Sequence, residues 1–221
     1  MSRSVGKMKP DQWLSDFFGR EIVQVKVAAD DFRQIARLQK QGFVLVEGEL
    51  EFELALATFS ENMTACRPAD MADLPDLNLL FGSAFPDSRF RSPYFSREEN
   101  QRFYRTWIEN AVKGKFDDIG LVQCNADGQI QGAVTVRLLA QQQAKIGLLA
   151  VKPDCRQQGI GSELLNAAIA WAKQQNAKKL MITTQLSNQK AIRFYQAFGA
   201  SIKAVYYWFY PALEKYDDEQ S

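Results

Sequence analysis

Apolar positions along the 221-residue chain recur at two spacings, every second residue or every third to fourth, and these spacings alternate in blocks. Residues 11–19 hold a dense cluster of Trp13, Leu14, Phe17 and Phe18 that stops at Gly19. Residues 22–27 alternate as a strand, and residues 30–41 carry Phe32, Ile35, Ala36 and Leu38 at helical spacing with Gly42 as the stop. A long strand is predicted over residues 43–54: Leu50, Phe52 and Leu54 fall on one face, and Glu49, Glu51 and Glu53 form an expected solvated face. Gly48 interrupts that strand and signals a bulge. Glu47 shares parity with Phe43 and Leu45 and is expected to point inward.

A polar stretch then leads to a short strand centred on residues 63–67, broken by Arg67-Pro68-Ala69-Asp70. Leu74, Leu77, Leu80 and Phe81 mark the buried face of a helix over residues 72–85, and residues 86–94 form a loop with Arg89 and Arg91 set between aromatics. Ser96 and Glu99 have capping-box spacing, and the helix they open carries Phe103, Trp107, Ile108 and Val112 up to Gly114. Apolar runs at 119–124 and 130–139 flank Asn125-Ala126-Asp127-Gly128, a hairpin signal. A strand (146–151), a helix (160–175), a strand (180–184), a helix (187–198) and an aromatic-rich strand (201–210) complete the chain. After residue 60 the predicted order is β, α, α, β, β, β, α, β, α, β. The first 60 residues are too few to bury a large core alone, so the expected division is a partial N-terminal α/β unit at 1–60 and a main domain at 61–221.

Composition narrows the function by exclusion. With 27 Lys and Arg against 26 Asp and Glu, the net charge is +1, so no broad basic surface for nucleic acid or anionic membranes is expected. Arg3, Lys7 and Lys9 are not followed by an apolar core of signal-peptide length, no run approaches a membrane span, and a cytoplasmic location is the default expectation. Cys66, Cys124 and Cys155 have no paired spacing and read as free thiols. There is no histidine, which removes the commonest general base and metal ligand. No metal site is expected, and proton transfer falls to a carboxylate, tyrosine, lysine, cysteine or bound water. The aromatic run from Tyr206 to Tyr210 reads either as core or as the seam of a homodimer, and Asp217-Asp218-Glu219 as a solvated tail.

The candidate chemistry centres on residues 145–162, where an apolar strand ends at Pro153, a loop bears Arg156, Gln157, Gln158, Gly159 and Gly161, and Ile160 opens a helix. Strand, glycine-bearing loop and helix start together present unpaired N–H groups to an anion, which suits a phosphorylated ligand. No Gly-Lys-Ser/Thr is present, so the mononucleotide P-loop fails, and Leu164 stands where the dinucleotide fingerprint has its third glycine.

The pattern Arg156-x-x-Gly159-x-Gly161 resembles the pyrophosphate loop of the GCN5-related N-acetyltransferase (GNAT) superfamily. Arg67-Pro68-Ala69-Asp70 and Asn188-x-x-Ala191-x-x-x-Tyr195-x-x-x-Gly199 resemble two further segments of that family. The resemblance implies an α/β fold with a mixed, twisted central sheet flanked by helices, and acetyl-CoA as co-substrate. It implies that Leu148, Leu149, Ala150 and Val151 hold the thioester, while Arg156, Gln157, Gln158, Gly159, Ile160, Gly161 and Ser162 hold the diphosphate, with Asn188 and Arg193 also at the coenzyme. It makes Tyr195 the general acid that protonates the departing thiolate. A tyrosine within a helix is otherwise most often a core residue with a tethered hydroxyl. Spacing would set Asn188, Ile192 and Tyr195 on one helix face.

Longer blocks are similar to the members of this family that acetylate TDP-linked amino sugars. They are Trp13-x-x-Asp16-Phe17-Phe18-Gly19, the stretch from Leu38 to Glu49, Ser88-Arg89-Phe90-Arg91-x-Pro93, the stretch from Arg102 to Val112, and Ile146-Gly147-Leu148-Leu149-Ala150. This similarity implies a TDP-linked 4-amino-4,6-dideoxygalactose as acceptor and Glu47 as the carboxylate that receives the amine's proton through water. Arg89 and Arg91 suit a phosphate, and the aromatics beside them a thymine face, although an ordinary basic surface loop explains them as well. Two other readings stay open: a different amino-sugar nucleotide or small amine as acceptor, and a non-catalytic acyl-CoA-binding module.

Overall fold

A computed structural model of the chain describes residues 10–59 and 65–213. The expectations for residues 1–9, for Met63 and for the tail Asp217-Asp218-Glu219 lie outside the described residues. Two compact units emerge: one takes the described residues up to Gly48 together with those from Tyr206 onward, the other takes Glu49–Val205. Two strands, β2 (Phe43–Ala55) and β8 (Ser201–Pro211), each run from one unit into the other.

The smaller unit contains α1 (Pro10–Phe18), β1 (Val25–Ala28) and α2 (Phe32–Lys40). Leu14 and Phe18 are buried, and Gly19 ends α1 with φ +65°, the left-handed conformation glycine adopts without a Cβ penalty. The Asp31 carboxylate accepts the Gln34 N–H at 3.0 Å and starts α2. Antiparallel pairing sets Val25 opposite Phe209 and Ala28 opposite Tyr206. Val27, Leu38 and Phe209 form a small core flanked by Val25, Ile35, Phe43 and Tyr207. Phe209 is therefore core within this unit, and Lys26 lies 4.1 Å from the Tyr206 ring centre.

From residue 65 the larger unit runs β3 (Arg67–Pro68), α3 (Leu74–Ala84), α4 (Arg97–Val112), β4 (Ile119–Cys124), β5 (Ile130–Leu139), β6 (Gln143–Val151), α5 (Ile160–Gln174), β7 (Lys179–Gln185), α6 (Gln189–Ala197) and β8. This is the order read from the periodicity. The strands lie in the order β8-β2-β7-β6-β5-β4-β3. The β6–β7 pair is parallel, whereas β2–β7, β5–β6, β4–β5 and β3–β4 are antiparallel, which makes the sheet mixed. Leu164, Leu165, Ala168, Ile169 and Ala172 of α5 pack on Val134, Val136, Ala144 and Ile146. Alternation turns Thr135, between Val134 and Val136, to the opposite face, where α4 lies. The Ser96–Glu99 capping box forms as expected, with bonds of 3.1 and 2.8 Å.

Two details of β2 differ from the sequence reading. Glu51 and Glu53 are half-buried and face cations: Lys179 reaches Glu53 at 2.8 Å, and Lys203 lies 3.9 Å from Glu51 and 3.8 Å from Glu53. Cross-strand lysines, invisible to a single-strand reading, supply that cover. Leu45 is exposed rather than inward, while Glu47 and Gly48 are both buried, so regular alternation begins only at Glu49.

Candidate active site

Strands β6 and β7 pair only at their beginnings, Gln143 with Lys179, Ala144 with Leu180 and Lys145 with Met181. Beyond Lys145 the parallel ladder stops, and the end of β6 keeps its partner on the β5 side alone: Leu149 opposite Val134, Ala150 opposite Ala133, Val151 opposite Gly132. The Lys152 N–H bonds to the Gln131 carbonyl at 2.8 Å and the Leu148 N–H to the Thr135 hydroxyl at 2.9 Å. Backbone groups alternate sides along a strand, so the N–H groups of Leu149 and Val151 point away from β5, into the opening between β6 and β7. Leu148 and Ala150 are buried, and Leu149 and Val151 pack on the α5 core.

The loop after β6 passes through a 3-10 turn at Pro153–Cys155 and enters α5. Gln157 has φ +62° and Gly159 φ +85°, two left-handed residues that fold the chain back on the helix start. Ser162 and Glu163 both donate to the Gly159 carbonyl, at 2.9 and 3.1 Å. The N–H groups of Ile160 and Gly161 precede any helix carbonyl they could reach, and they point out of the helix N-terminus. A Cβ at Gly161 would lie 3.6 Å from the Phe194 ring, an ordinary contact, so packing within the chain does not demand a glycine there. Arg156 to Gly159 are exposed. Two of the expected anion contacts have structural tasks: Arg156 Nε donates to the Val151 carbonyl at 3.3 Å and Gln158 Nε2 to the Asp154 carbonyl at 3.0 Å. The remaining guanidinium nitrogens of Arg156 and the backbone N–H row are what this loop offers an anion.

Tyr195 lies on α6, 6% exposed, with its ring 6.0 Å from Phe52 and 5.2 Å from Phe194. It belongs to the same packed cluster as Leu149, Val151 and Ile192. Burial pushes its hydroxyl up from an ordinary 10.0 to about 12, so the phenol keeps its proton across the neutral range. Asn188 is the N-cap of α6 rather than a residue within it: it is exposed, and its Oδ1 accepts the Ala191 N–H at 3.1 Å, a bond that does not use its NH₂. Arg193 is exposed on α6. Glu47 lies in the other unit, 7% exposed, and its carboxylate accepts the N–H of Gly48 at 3.1 Å.

The loop over residues 86–94 is held from beneath by Asn100, whose amide donates to the Phe85 carbonyl, the Ser88 hydroxyl and the Phe90 carbonyl at 3.1, 2.9 and 2.9 Å. Gln185, at the end of β7, donates to the Asp87 carbonyl at 3.3 Å, which brings this loop to the rim of the β6–β7 opening. Arg91 spends a guanidinium nitrogen on the Asp87 and Ser88 carbonyls, both at 3.1 Å, and Arg89 stacks 4.1 Å from the Phe90 ring centre.

Sequence reasoning missed a buried acid beside this strand. Asp117, 1% exposed, accepts Trp107 Nε1 at 2.9 Å, the Thr135 hydroxyl at 2.5 Å and Arg137 Nη1 at 2.9 Å. A Cβ on Gly147 would collide with the Asp117 carboxylate and come within 2.7 Å of Thr135 Oγ1. That glycine inside a strand pattern was the available signal, since such glycines mark a bulge or a close approach.

A family model described as the acetyltransferase (GNAT) family matches residues 83–200. The chain is 38% identical over 188 residues to a dTDP-fucosamine acetyltransferase of Escherichia coli, spanning 85% of this chain and 80% of that one. It is 32% identical over 121 residues to streptothricin acetyltransferase A of Bacillus subtilis, spanning 55% of this chain and 66% of that one. A solved GCN5-related N-acetyltransferase from Sphaerobacter thermophilus superposes with a TM-score of 0.61 at 16% identity, over 92% of this chain and 66% of that one, a likeness of fold.

Proposed function

The chain belongs to the GNAT family of acetyltransferases, and from that premise we propose that it acetylates the 4-amino group of a TDP-linked 4-amino-4,6-dideoxy-D-galactose from acetyl-CoA. The product would serve enterobacterial common antigen or a related surface polysaccharide, made in the cytoplasm. The observation that carries the acceptor is the 38% identity to a dTDP-fucosamine acetyltransferase over 85% of this chain. Acetyl-CoA enters with its diphosphate on the N–H row of Gly159, Ile160 and Gly161, joined by Arg156, and its pantetheine arm along the open edge of β6.

The acceptor amine attacks the thioester carbon, and the carbonyl electrons move onto oxygen. The N–H groups of Leu149 and Val151, aimed into the opening, stabilise that oxyanion without reorganising. Collapse of the intermediate breaks the C–S bond, and the leaving thiolate takes the proton of Tyr195. Tyr195 is a weaker acid buried than in water, but the same dry surroundings raise the basicity of the thiolate, so the proton still has a reason to move. Glu47 receives the proton lost by the amine, through water. Arg89 and the aromatics around it bind the nucleotide sugar.

The test is incubation with acetyl-CoA and a panel of TDP-amino sugars and small amines while thiol release is followed. Turnover confined to the 4-amino galacto sugar supports the proposal. Turnover on a different amine moves the acceptor and keeps the chemistry, and binding of acetyl-CoA without thiol release replaces the enzyme with a binding module.

A further inference from the structure

The end of β6 is displaced by one residue from the register of its beginning. Val136 pairs with Ile146, but Val134 pairs with Leu149, so two residues of β6, Gly147 and Leu148, face the single residue Thr135. This is a β-bulge, and an extra residue exchanges the faces of everything beyond it. Ala144 and Ile146 pack on the α5 core before the bulge, and Leu149 and Val151 do so after it. The direction of each N–H beyond Leu148 changes with that exchange.

A bulge costs a ladder hydrogen bond, and here a side chain replaces it. The Leu148 N–H donates to Thr135 Oγ1 at 2.9 Å, and Thr135 in turn donates to Asp117 Oδ2 at 2.5 Å. Thr135 is 0% exposed, so its hydroxyl has no competing water. Because Oγ1 donates its only proton to the carboxylate, its lone pairs are left for the backbone N–H. Trp107 from α4 and Arg137 from β5 hold the carboxylate from two further directions, at 2.9 Å each. The acid cannot move toward Gly147 or away from Thr135 without losing one of these partners.

We propose that Asp117 and Thr135 are positioning residues for acetyl transfer: through the Leu148 N–H they pin the β6 bulge and so aim the N–H groups of Leu149 and Val151 at the oxyanion. This rests on the acetyl-transfer reading above. Asp117 is 1% and Thr135 0% exposed, so both act from beneath the surface that a substrate would meet. Oxyanion donors act only when placed to within a fraction of an ångström, so a strand free to slip back into register would lose rate while still gripping the coenzyme.

The experiment compares Thr135→Val, which keeps the shape and removes the hydroxyl, with Thr135→Ser, which restores it. Thr135→Val is expected to lower kcat about 10- to 100-fold, as misdirected oxyanion donors should, while the dissociation constant for desulfo-CoA stays within about twofold. Thr135→Ser is expected to recover kcat to within about threefold of the parent. An unchanged kcat in folded Thr135→Val overturns the proposal, and so does an equal loss in Thr135→Ser, which would mean that packing alone matters. Should Thr135→Val not fold, Asp117→Asn carries the same expectation with the carboxylate shape retained. Amide hydrogen exchange separates this inference from the activity beneath it. Thr135→Val is expected to speed exchange over residues 146–151 at least about tenfold and leave β4 unchanged. If the parent chain transfers no acetyl group to any acceptor, the functional reading fails, and faster exchange at 146–151 still supports the clamp; unchanged exchange overturns it.

Discussion

Replacing Tyr195 with Phe tests the surroundings of the proposed acid and its role in one variant. The phenol ionises near 10.0 in the unfolded chain and is pushed up to about 12 in the folded one, because burial disfavours the phenolate. A group whose folded pKa is raised contributes stability that is fully present below the unfolded value and lost as pH rises through the folded value. At about 1.36 kcal/mol per pKa unit, Tyr195 supplies on the order of 3 kcal/mol below pH 10 that is lost as the pH rises through about 12. Tyr195→Phe cannot ionise, so its stability carries no such loss. Urea unfolding of both proteins between pH 8 and 12 measures this, and subtracting one curve from the other cancels the other titrating groups. The difference should be flat up to about pH 9.5 and then turn in favour of the variant by about 2–3 kcal/mol. Parallel curves through pH 12 would refute the buried-phenol reasoning. At pH 8 the variant should also lose about a hundredfold or more in kcat, the scale of a lost general acid. A folded variant with full turnover would leave the thiolate to be protonated by water.

Other substitutions separate binding, packing and capping. Gly161→Ala should leave the melting temperature unchanged or slightly raised, since its Cβ makes only ordinary contacts and alanine suits a helix, whereas Gly161→Val should weaken CoA about tenfold or more by blocking a close backbone approach; calorimetric titration measures the affinity. Gly147→Ala should destabilise the fold by about 3–5 kcal/mol in urea, from over-packing plus a broken buried charged hydrogen bond at Asp117. Asn188→Ala removes the cap on α6 and should cost about 1 kcal/mol of stability, with an additional rise in KM for acetyl-CoA only if its NH₂ meets the coenzyme. Glu47→Gln should lower kcat/KM about a hundredfold or more, the scale of a lost general base, and an unaltered kcat/KM would assign the base to water or another carboxylate.

Much of this fold was legible along the chain because its signals are local. The α5 stripe of Leu164, Leu165, Ala168, Ile169 and Ala172 declares a helix by spacing and is buried as a unit. Ser96 and Glu99 announce a helix start, and Asp127-Gly128 a hairpin, through bonds that span only a few residues. The glycine-bearing loop before α5 and the helix that carries Tyr195 were legible for the same reason, since each lies within one short segment. Glu51 and Glu53 show where such reading stops: their strand suggested a solvated face, and the lysines that cover them come from β7 and β8.

By itself, then, the sequence determined which segments become helices and strands, their order, and the loop and tyrosine around which the proposed transferase site is built. Only the tertiary structure decided how β6 leaves β7 after Lys145, which N–H groups face the opening, and why Gly147 carries no side chain. Beside those features lie Trp107, Asp117, Thr135 and Arg137, which come from a helix, the segment after it and a neighbouring strand. Periodicity records which face a residue turns to the core. The hydrogen-bond partner waiting on that face is set by long-range packing.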